Sequence, residues 1–332
     1  MNKKEKDKSF YIPEFVSIEI TNHCNFKCII CPHGHDLITN KGYMSFEVYK
    51  KIIDELYENK INPRKIALFG IGESLLHPEF IKMANYSKKK GFYQQLTTNA
   101  LFLTPEKTDE ILQNKCIDRL ELSFDNNEQN YKMFKGGNVY NITLNNMKYL
   151  LSKEKEKKIY IKLIQYDLQK EKKVVSDDLK EIFKENKNVY FVFYNISTWR
   201  GSLEMDFLSE KTKEIINTPI SNTPDMEKCN NGANMAPFSW DGQLKACYMD
   251  YIPEHVFGNI KDNSLLNLLM NEERKLFIDN IVSGNHRSNH ICKKCLSPYN
   301  RKSQSIIIQN VGDKLYKITG SQNDAYEQFE SK

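Results

Sequence analysis

The chain of 332 residues has 27% charged and 40% hydrophobic residues, close to globular averages, and this composition excludes a wholly disordered protein. No apolar run approaches the ~20 residues of a membrane-spanning helix, and the start MNKKEKDKSF lacks the apolar stretch of a secretory signal. The net charge of +5 comes from lysines mixed with glutamates, which favours solvated helix faces over a nucleic-acid-binding surface. The sequence therefore predicts a cytoplasmic protein without a membrane or nucleic-acid partner.

Strand-like and helix-like segments alternate between about residues 15 and 197. Short connections between such units favour parallel strands with right-handed crossovers. Six β/α units are too few for a closed eight-stranded barrel, so we expect a partial barrel with its site at the carboxyl ends of the strands. The predicted strands are Phe15–Ile20, Lys65–Gly70, Tyr93–Thr98, Arg119–Phe124, Ile159–Gln165 and Val189–Asn195. The predicted helices are Phe46–Asn59, Pro78–Lys90, Pro105–Lys115, Ile142–Lys157 and Ser176–Lys187.

The alternation ends near Gly201, and residues 217–262 are rich in asparagine, proline and glycine. A helix is predicted after them at Leu265–Ile281. We therefore predict an α/β protein in which a partial (β/α)6 barrel is followed by a small cysteine-rich module. The predicted limits are 1–14 for an N-terminal tail, 15–205 for the barrel, 206–310 for the module and 311–332 for a C-terminal tail.

Seven of the eight cysteines fall into two groups, while Cys116 lies in an apolar helix pattern and is expected to pack in the core. Grouped thiols in a reducing compartment indicate metal or iron–sulfur ligands rather than disulfides. The first group follows the first predicted strand with C-x3-C-x2-C spacing, and the second ends in a C-x2-C pair. The groups are Cys24, Cys28 and Cys31, and Cys229, Cys247, Cys292 and Cys295.

Three thiolates without a fourth suit a cubane iron–sulfur cluster that keeps one iron open to an exogenous ligand. A structural zinc ion is the alternative, because His23, His33 or His35 would supply a fourth ligand. On spacing alone, the second group fits zinc as well as iron. A non-catalytic zinc-binding or nucleic-acid-binding protein therefore stays open at this point.

Four motifs in chain order resemble those of the radical S-adenosylmethionine (SAM) superfamily. They are the C-x3-C-x2-C run, Phe69–Pro78 with the sequence FGIGESLLHP, TTNA at residues 97–100 and LSFD at residues 122–125. The resemblance implies a [4Fe-4S] cluster on the three thiolates, SAM on its open iron, and a 5′-deoxyadenosyl radical that abstracts hydrogen from a substrate. The residues that match the cofactor-binding positions or border them are Gly72, Glu73, Thr98, Asn99, Ser123 and Asp125.

The second cysteine group resembles the auxiliary-cluster module called SPASM, in the shortened form called twitch. The resemblance implies one auxiliary [4Fe-4S] cluster fully ligated by Cys229, Cys247, Cys292 and Cys295, and thus two clusters in the protein. A cluster without an open iron is suited to passing electrons rather than to binding substrate. A flavodoxin or ferredoxin as electron donor and an anaerobic cytoplasm are also implied.

This layout is similar to that of radical SAM dehydrogenases acting on aminocyclitols, which favours oxidation of an alcohol of a small sugar-like substrate. Such a reaction needs a proton acceptor near the substrate. A peptide-modifying radical SAM enzyme is the alternative within the superfamily, with a peptide as substrate. The candidates for the proton acceptor are Arg200, Asp250, His33 and His35.

Overall fold

Six parallel strands form the centre of the fold, and each of the first five is followed by at least one helix. The computed structural model describes residues 12–125, 127–165, 175–195, 199–203, 229–293, 295, 306–311 and 314–319. The strands are β1 (Phe15–Ile18), β2 (Lys65–Leu68), β3 (Gln94–Thr98), β4 (Arg119–Phe124), β5 (Ile159–Gln165) and β6 (Val189–Asn195). The helices are α1 (Phe46–Glu58), α2 (Phe80–Lys89), α3 (Pro105–Asn114), α4 (Glu128–Lys135), α5 (Tyr140–Lys153) and α6 (Asp177–Phe183).

Local sequence signals explain where several helices begin. The hydroxyl groups of Ser45, Thr104 and Ser176 accept a hydrogen bond from the backbone three residues on, at the starts of α1, α3 and α6. Pro105 occupies the first turn of α3, where its missing N–H leaves no bond unmade. On α1 the buried side chains recur at helical spacing and face the sheet: Val48, Tyr49, Ile52, Ile53 and Leu56.

The order β6-β5-β4-β3-β2-β1 is parallel throughout, so the carboxyl ends of all six strands lie at one edge. The prediction of an α/β partial barrel is confirmed. Helix α4 was not predicted, because the single segment Ile142–Lys157 was expected after β4. The predicted helix Leu265–Ile281 is two helices, since Asn271 caps a second one with its side chain.

The second region continues the same sheet. Strand β7 (Met235–Phe238) lies parallel to β1, and β8 (Gln243–Lys245) and β9 (Val256–Asn259) follow it at that edge. Helices α7 (Asn230–Ala233), α8 (Leu265–Leu269) and α9 (Glu272–Val282) complete this region. At the opposite edge the hairpin of β10 (Ile306–Val311) and β11 (Lys314–Thr319) pairs antiparallel with β6. Pairing of β7 with β1 brings the second cysteine group to the barrel.

The predicted boundary between residues 205 and 206 lies outside the described residues, and so does most of each predicted tail. Cys116 lies in the hydrophobic core, as expected for a packing residue. None of the helices in the described part of the chain is long and apolar enough to cross a membrane.

Candidate functional site

The loop after β1 carries the first cysteine group. It folds back on itself, because the Cys31 N–H donates to the Cys28 carbonyl at 3.0 Å and the Gly34 N–H to the Cys31 carbonyl at 2.9 Å. Gly34 is required by this close approach, since a Cβ there would lie 2.2 Å from the Cys28 carbonyl oxygen. The Ile29 N–H donates to the carbonyl of Phe134 on α4. The loop is thereby fixed with Cys24, Cys28 and Cys31 close enough to affect one another's charge.

Burial raises the pKa of the Cys24 and Cys31 thiols to about 12 and raises that of Cys28 as well. The free thiols are therefore protonated near neutral pH, and each iron–thiolate bond must displace a proton. These three half-buried thiols are therefore unlike reactive surface thiols.

Uptake of iron by the apoprotein is expected to rise with pH between about 6.5 and 8.5, since the thiolate fraction grows about tenfold per pH unit below the thiol pKa. Iron bound per chain after anaerobic reconstitution at several pH values measures this. Faster or fuller loading at pH 6.5 than at pH 8.5 would contradict the raised pKa values of Cys24 and Cys31.

The segment after β2 packs directly against the first cysteine loop. A Cβ on Gly72 would lie 2.3 Å from the Thr21 carbonyl oxygen, so only glycine permits this contact. The Glu73 N–H donates to the His23 carbonyl at 2.8 Å, one residue before the first cysteine. Gly72 and Glu73 are thus in place beside the cysteine loop.

Gly72→Ala is expected to push the segment after β2 away from the cysteine loop, because the clash is with backbone atoms that a side-chain rotation does not relieve. We expect SAM binding to weaken at least about tenfold, a change of about 1.4 kcal/mol. Isothermal titration of SAM into the iron-loaded variant measures the effect. Gly91→Ala is the control: nothing lies within 4 Å of a Cβ at that surface position, so its cost is the backbone strain of a φ of 88° alone, and SAM binding should be unchanged.

The Glu73 carboxylate links the ends of β2 and β3. Buried at 3% exposure, it accepts hydrogen bonds from the Leu75 N–H at 3.1 Å, the Thr98 hydroxyl at 2.8 Å and the Asn99 N–H at 2.8 Å. Burial raises the pKa of Glu73, and these three donors oppose that rise. The side chain of Asn99 in turn donates to Asn25, between the first two cysteines, at 2.9 Å. Glu73, Thr98 and Asn99 therefore tie the ends of β2 and β3 to the first cysteine loop.

A buried lysine at the end of α4 faces the same site. Lys135 is 7% exposed, and its Nζ donates to the Ser123 hydroxyl at 3.3 Å and lies 4.0 Å from Asp125 Oδ2. Burial opposes its charge, but Asp125 and Cys28 outweigh burial and raise the pKa of Lys135. A fixed cation therefore lies beside the first cysteine group, next to two of the predicted cofactor-binding residues.

Three buried polar atoms near the first cysteine group have no hydrogen-bond partner among the described residues: Asp125 Oδ2, Asn25 Nδ2 and His33 Nε2. Burial raises the pKa of Asp125 to about 6, although Lys135 opposes the rise. The orphaned Asp125 acceptor, the orphaned Asn25 donor and one cation beside three soft thiolate ligands fit an amino-acid-bearing ligand on an iron–sulfur cluster. The residues present therefore fit SAM and its cluster.

The lumen of the partial barrel is polar. Glu121 is buried, and Lys162 and Arg119 overcome the effect of burial and lower its pKa to about 2. Its carboxylate lies 2.9 Å from Arg119 Nη2 and 3.5 Å from Lys162 Nζ. The Arg119 guanidinium also lies over the Tyr160 ring, 4.0 Å from its centroid. Charged and hydroxyl groups thus extend across β4 and β5 below the strand ends.

The second cysteine group lines one cavity, whose empty space, together with the part open to solvent, is about 420 Å³. All four thiols, from Cys229, Cys247, Cys292 and Cys295, contribute to its wall. Burial raises the pKa of Cys247 well above its ordinary value and that of Cys292 to about 12. No three His, Cys, Asp or Glu side chains of the described residues are grouped at the spacing of a single metal ion. Four soft ligands around an open volume fit a fully ligated cluster.

The four candidate proton acceptors lie in two places. Arg200 Nη2 lies 3.1 Å from Asp250 Oδ1, and both side chains are buried. Burial raises the pKa of Asp250, whereas Arg200 lowers it. His33 and His35 lie in the short turn after Cys31. Burial lowers the pKa of His33 to about 4, and the exposed His35 contacts the Ile29 carbonyl at 2.8 Å. The structure thus brings Arg200 and Asp250 together and places the two histidines beside the first cysteine group.

Three functional features were not found in the sequence: Lys135, Asn25 and the charged lumen around Glu121. The lumen had a visible signal, because Arg119, Glu121 and Ser123 alternate with apolar residues along β4. No sequence signal distinguished Lys135, since it lies in a helix that was not predicted and the chain has many other lysines.

Two family profiles match the chain and together cover more than half of it. Residues 18–168 match the Radical SAM superfamily, and residues 229–296 match the iron–sulfur cluster-binding domain SPASM. The tungsten-containing aldehyde ferredoxin oxidoreductase cofactor-modifying protein of Pyrococcus furiosus is 35% identical over 101 residues, 30% of this chain and 27% of that protein. The PqqA peptide cyclase of Bradyrhizobium diazoefficiens is 27% identical over 122 residues, 37% of this chain and 31% of that protein. The aligned parts span less than half the length of these relatives.

Solved structures share the fold at low sequence identity. BtrN in complex with AdoMet and 2-DOIA has a TM-score of 0.58 at 16% identity, over 85% of this chain and 92% of BtrN. SuiB of Streptococcus suis, bound to its precursor peptide SuiA, has a TM-score of 0.61 at 16% identity, over 88% of this chain and 72% of SuiB. From the two family matches and the two cysteine sites, we conclude that the chain belongs to the radical SAM superfamily and carries a SPASM iron–sulfur cluster-binding domain.

Proposed function

We propose that the protein is a radical SAM oxidoreductase that oxidises an alcohol of a hydroxyl-rich small molecule and passes an electron to its auxiliary cluster. When bound, the first cluster and SAM supply a radical able to abstract hydrogen from an unactivated C–H bond. Cys24, Cys28 and Cys31 would hold that cluster. The residues of the chain would bind and orient SAM and the substrate and would exclude water from the site.

The observation that carries this proposal is the cavity lined by four thiols. Four protein ligands leave no iron open for substrate, so the second site is suited to electron transfer. Removal of one hydrogen atom, one electron and one proton converts a secondary alcohol into a ketone. The first cluster site does not supply an acceptor for that one electron. The second site would supply it.

Within the first site, each polar group has a proposed task. Lys135 would hold the carboxylate of SAM, and Asp125 Oδ2 would accept from its amino group or ribose hydroxyls. Ser123 lies beside both and orients Lys135 through their hydrogen bond. Gly72, Glu73, Thr98 and Asn99 would fix the loops around the cofactor.

The polar lumen supports a hydroxyl-bearing substrate. Arg119, Glu121 and Lys162 form a buried ion-pair network, and a substrate with hydroxyl groups suits such polar surroundings better than an apolar one. The shared fold with BtrN, solved with AdoMet and 2-DOIA, is compatible with a small-molecule substrate. Of the ion pair Arg200–Asp250, only the Asp250 carboxylate can accept a proton, so Asp250 is the proposed proton acceptor of the two.

Peptide modification is the second candidate. It is favoured by the sequence similarity of 122 residues of the chain to PqqA peptide cyclase and by the fold shared with peptide-bound SuiB. A flavodoxin or ferredoxin is the proposed electron donor, and a cytoplasm protected from oxygen is the proposed location. The proposed electron donor and location both follow from the resemblance of the two cysteine sites to those of radical SAM enzymes.

The test is anaerobic reconstitution with iron and sulfide, followed by reduction in the presence of SAM and candidate polyols or peptides. We expect about eight irons per chain, release of 5′-deoxyadenosine and a polyol product two mass units lighter with its carbon skeleton intact. A double variant, Cys292→Ala with Cys295→Ala, should keep SAM cleavage and lose the product. A colourless zinc-loaded protein without SAM cleavage would refute the proposal, and a cross-linked or sulfur-containing peptide would replace it with the second candidate.

A further inference from the structure

Two consecutive residues after β6 contact both cysteine sites. The indole Nε1 of Trp199 donates to the carbonyl of Ile30, between the second and third cysteines, at 2.8 Å. The next residue, Arg200, lines the cavity of the four thiols. Both have left-handed backbone conformations, with φ of 48° and 65°. Such values are uncommon for residues other than glycine and indicate that the surroundings hold them there.

Acidic groups of the second region hold the Arg200 side chain. Its Nη2 lies 3.1 Å from Asp250 Oδ1 and 3.3 Å from Glu254 Oε1, and its Nη1 donates to Glu254 Oε2 at 3.4 Å. Asp250 is itself fixed, because its Oδ2 accepts from the N–H groups of Glu254 and His255 and its own N–H donates to the Cys247 carbonyl. The guanidinium is therefore oriented by the loop that follows a cysteine of the second group.

One donor of this guanidinium is unused. Arg200 is 8% exposed, and its buried Nε has no hydrogen-bond partner among the described residues. The rest of the cavity wall is mainly thiols and apolar side chains such as Met249 and Phe277. Within the described residues that line the cavity, Arg200 carries the one fixed positive charge, since burial lowers the pKa of His286. Asp250 and Glu254 do not line it.

We propose that Arg200 sets the reduction potential of the auxiliary cluster, through its fixed charge at the cavity wall and a hydrogen bond from Nε to a cluster sulfur. The inference rests on the proposed function, because it requires a cluster on the four thiolates. Arg200 has thereby a role other than that of a proton acceptor, for which an always protonated guanidinium is poorly suited.

The sign of the effect follows from charge. A cluster with four thiolate ligands is negative before reduction and one unit more negative after it. A nearby cation stabilises the reduced form more, and a donor to sulfur acts in the same direction, so both raise the potential. The buried Asp250 offsets part of this charge but does not line the cavity, and the half-exposed Glu254 is screened by water, so Arg200 is the charge nearest to the cluster. A higher potential makes the auxiliary cluster a better acceptor for an electron from a substrate radical.

The experiment is a redox titration of the iron-loaded protein, monitored by electron paramagnetic resonance of the auxiliary cluster. Arg200→Gln is expected to lower the equilibrium constant for reduction at least tenfold, which is about 59 mV for one electron. Arg200→Lys keeps the charge but loses Nε, so a smaller shift in the same direction is expected. Glu254→Gln removes a negative charge beside Arg200 and should shift the potential slightly upward. Arg287→Gln, at an exposed cation of the same region, is the matched control and should leave it unchanged.

The outcomes separate this inference from the proposed function. An unchanged potential in Arg200→Gln with all irons bound, or a downward shift in Glu254→Gln, would overturn the role of Arg200 while leaving the proposed function standing. Should Arg200→Gln fail to assemble its cluster, the signs of the shifts in Arg200→Lys and Glu254→Gln decide. A wild-type protein with only about four irons per chain would overturn both.

Discussion

Replacing Cys24, Cys28 and Cys31 together with alanine is expected to remove about four of the eight irons per chain and to abolish SAM cleavage. The physical reason is that these thiolates are the only proposed protein ligands of the first cluster, and loss of its ligands removes the metal outright. The auxiliary cluster should stay, because its four thiols line a different cavity. Iron analysis and Mössbauer spectroscopy of the anaerobic protein, with 5′-deoxyadenosine as the activity readout, measure the result.

Cys116→Ala is the matched control for this experiment. Cys116 is buried in the core, where its thiol lies 3.9 Å from the Ile111 carbonyl oxygen, and neither cysteine site includes it. Its replacement should cost about 1 kcal/mol of folding stability and no iron. Mössbauer spectra that are identical for the wild type and the triple variant would contradict the assignment of the first cluster site. Loss of iron in Cys116→Ala would point to a role for that thiol that its packing does not suggest.

The parallel partial barrel was predictable because its signals are local. Strands of four to seven residues alternate with helices whose starts carry a capping hydroxyl or a first-turn proline, as at Thr104 and Pro105. The helix Glu128–Lys135 gave no comparable apolar signal, since its buried residues are few and lysine is one of them. The continuation of the sheet by β7 was equally hidden, because pairing between residues more than 200 positions apart leaves no local pattern.

The cysteine sites were predictable from spacing, but the chemistry around them was not. Three thiols within eight residues indicate a cluster by their spacing alone. By contrast, the contact of Lys135 with Ser123 and the pairing of Arg200 with Asp250 join residues from different elements. The sequence does not indicate which side chains of different elements make such contacts. Arg200 and Asp250 were therefore each proposed separately as proton acceptors, whereas the structure makes them one ion pair at the auxiliary cavity.

Lys135→Met is expected to weaken SAM binding on the order of 100-fold, because a buried ligand carboxylate would lose its counter-charge. Methionine keeps most of the volume beside the Phe26 and Tyr131 rings. The variant should fold, because burial already raises the pKa of Asp125 to about 6 and that carboxyl can take up a proton when its counter-charge is lost. Lys135→Arg preserves the charge and is expected to recover part of the affinity. Equilibrium dialysis of SAM with the iron-loaded protein under anaerobic conditions measures all three forms.

Lys132→Met is the control, since Lys132 lies on the same helix, is exposed and pairs with Glu128 at 2.9 Å on the surface. It should bind SAM like the wild type, because an exposed ion pair contributes little energy and lies outside the site. Equal affinity in Lys135→Met and Lys132→Met would contradict the role of Lys135. The buried Lys135 would then stabilise only the Asp125 carboxylate. Lys135→Met would in that case raise the pKa of Asp125 without weakening SAM binding, because Lys135 is the charge that opposes the effect of burial on this carboxyl.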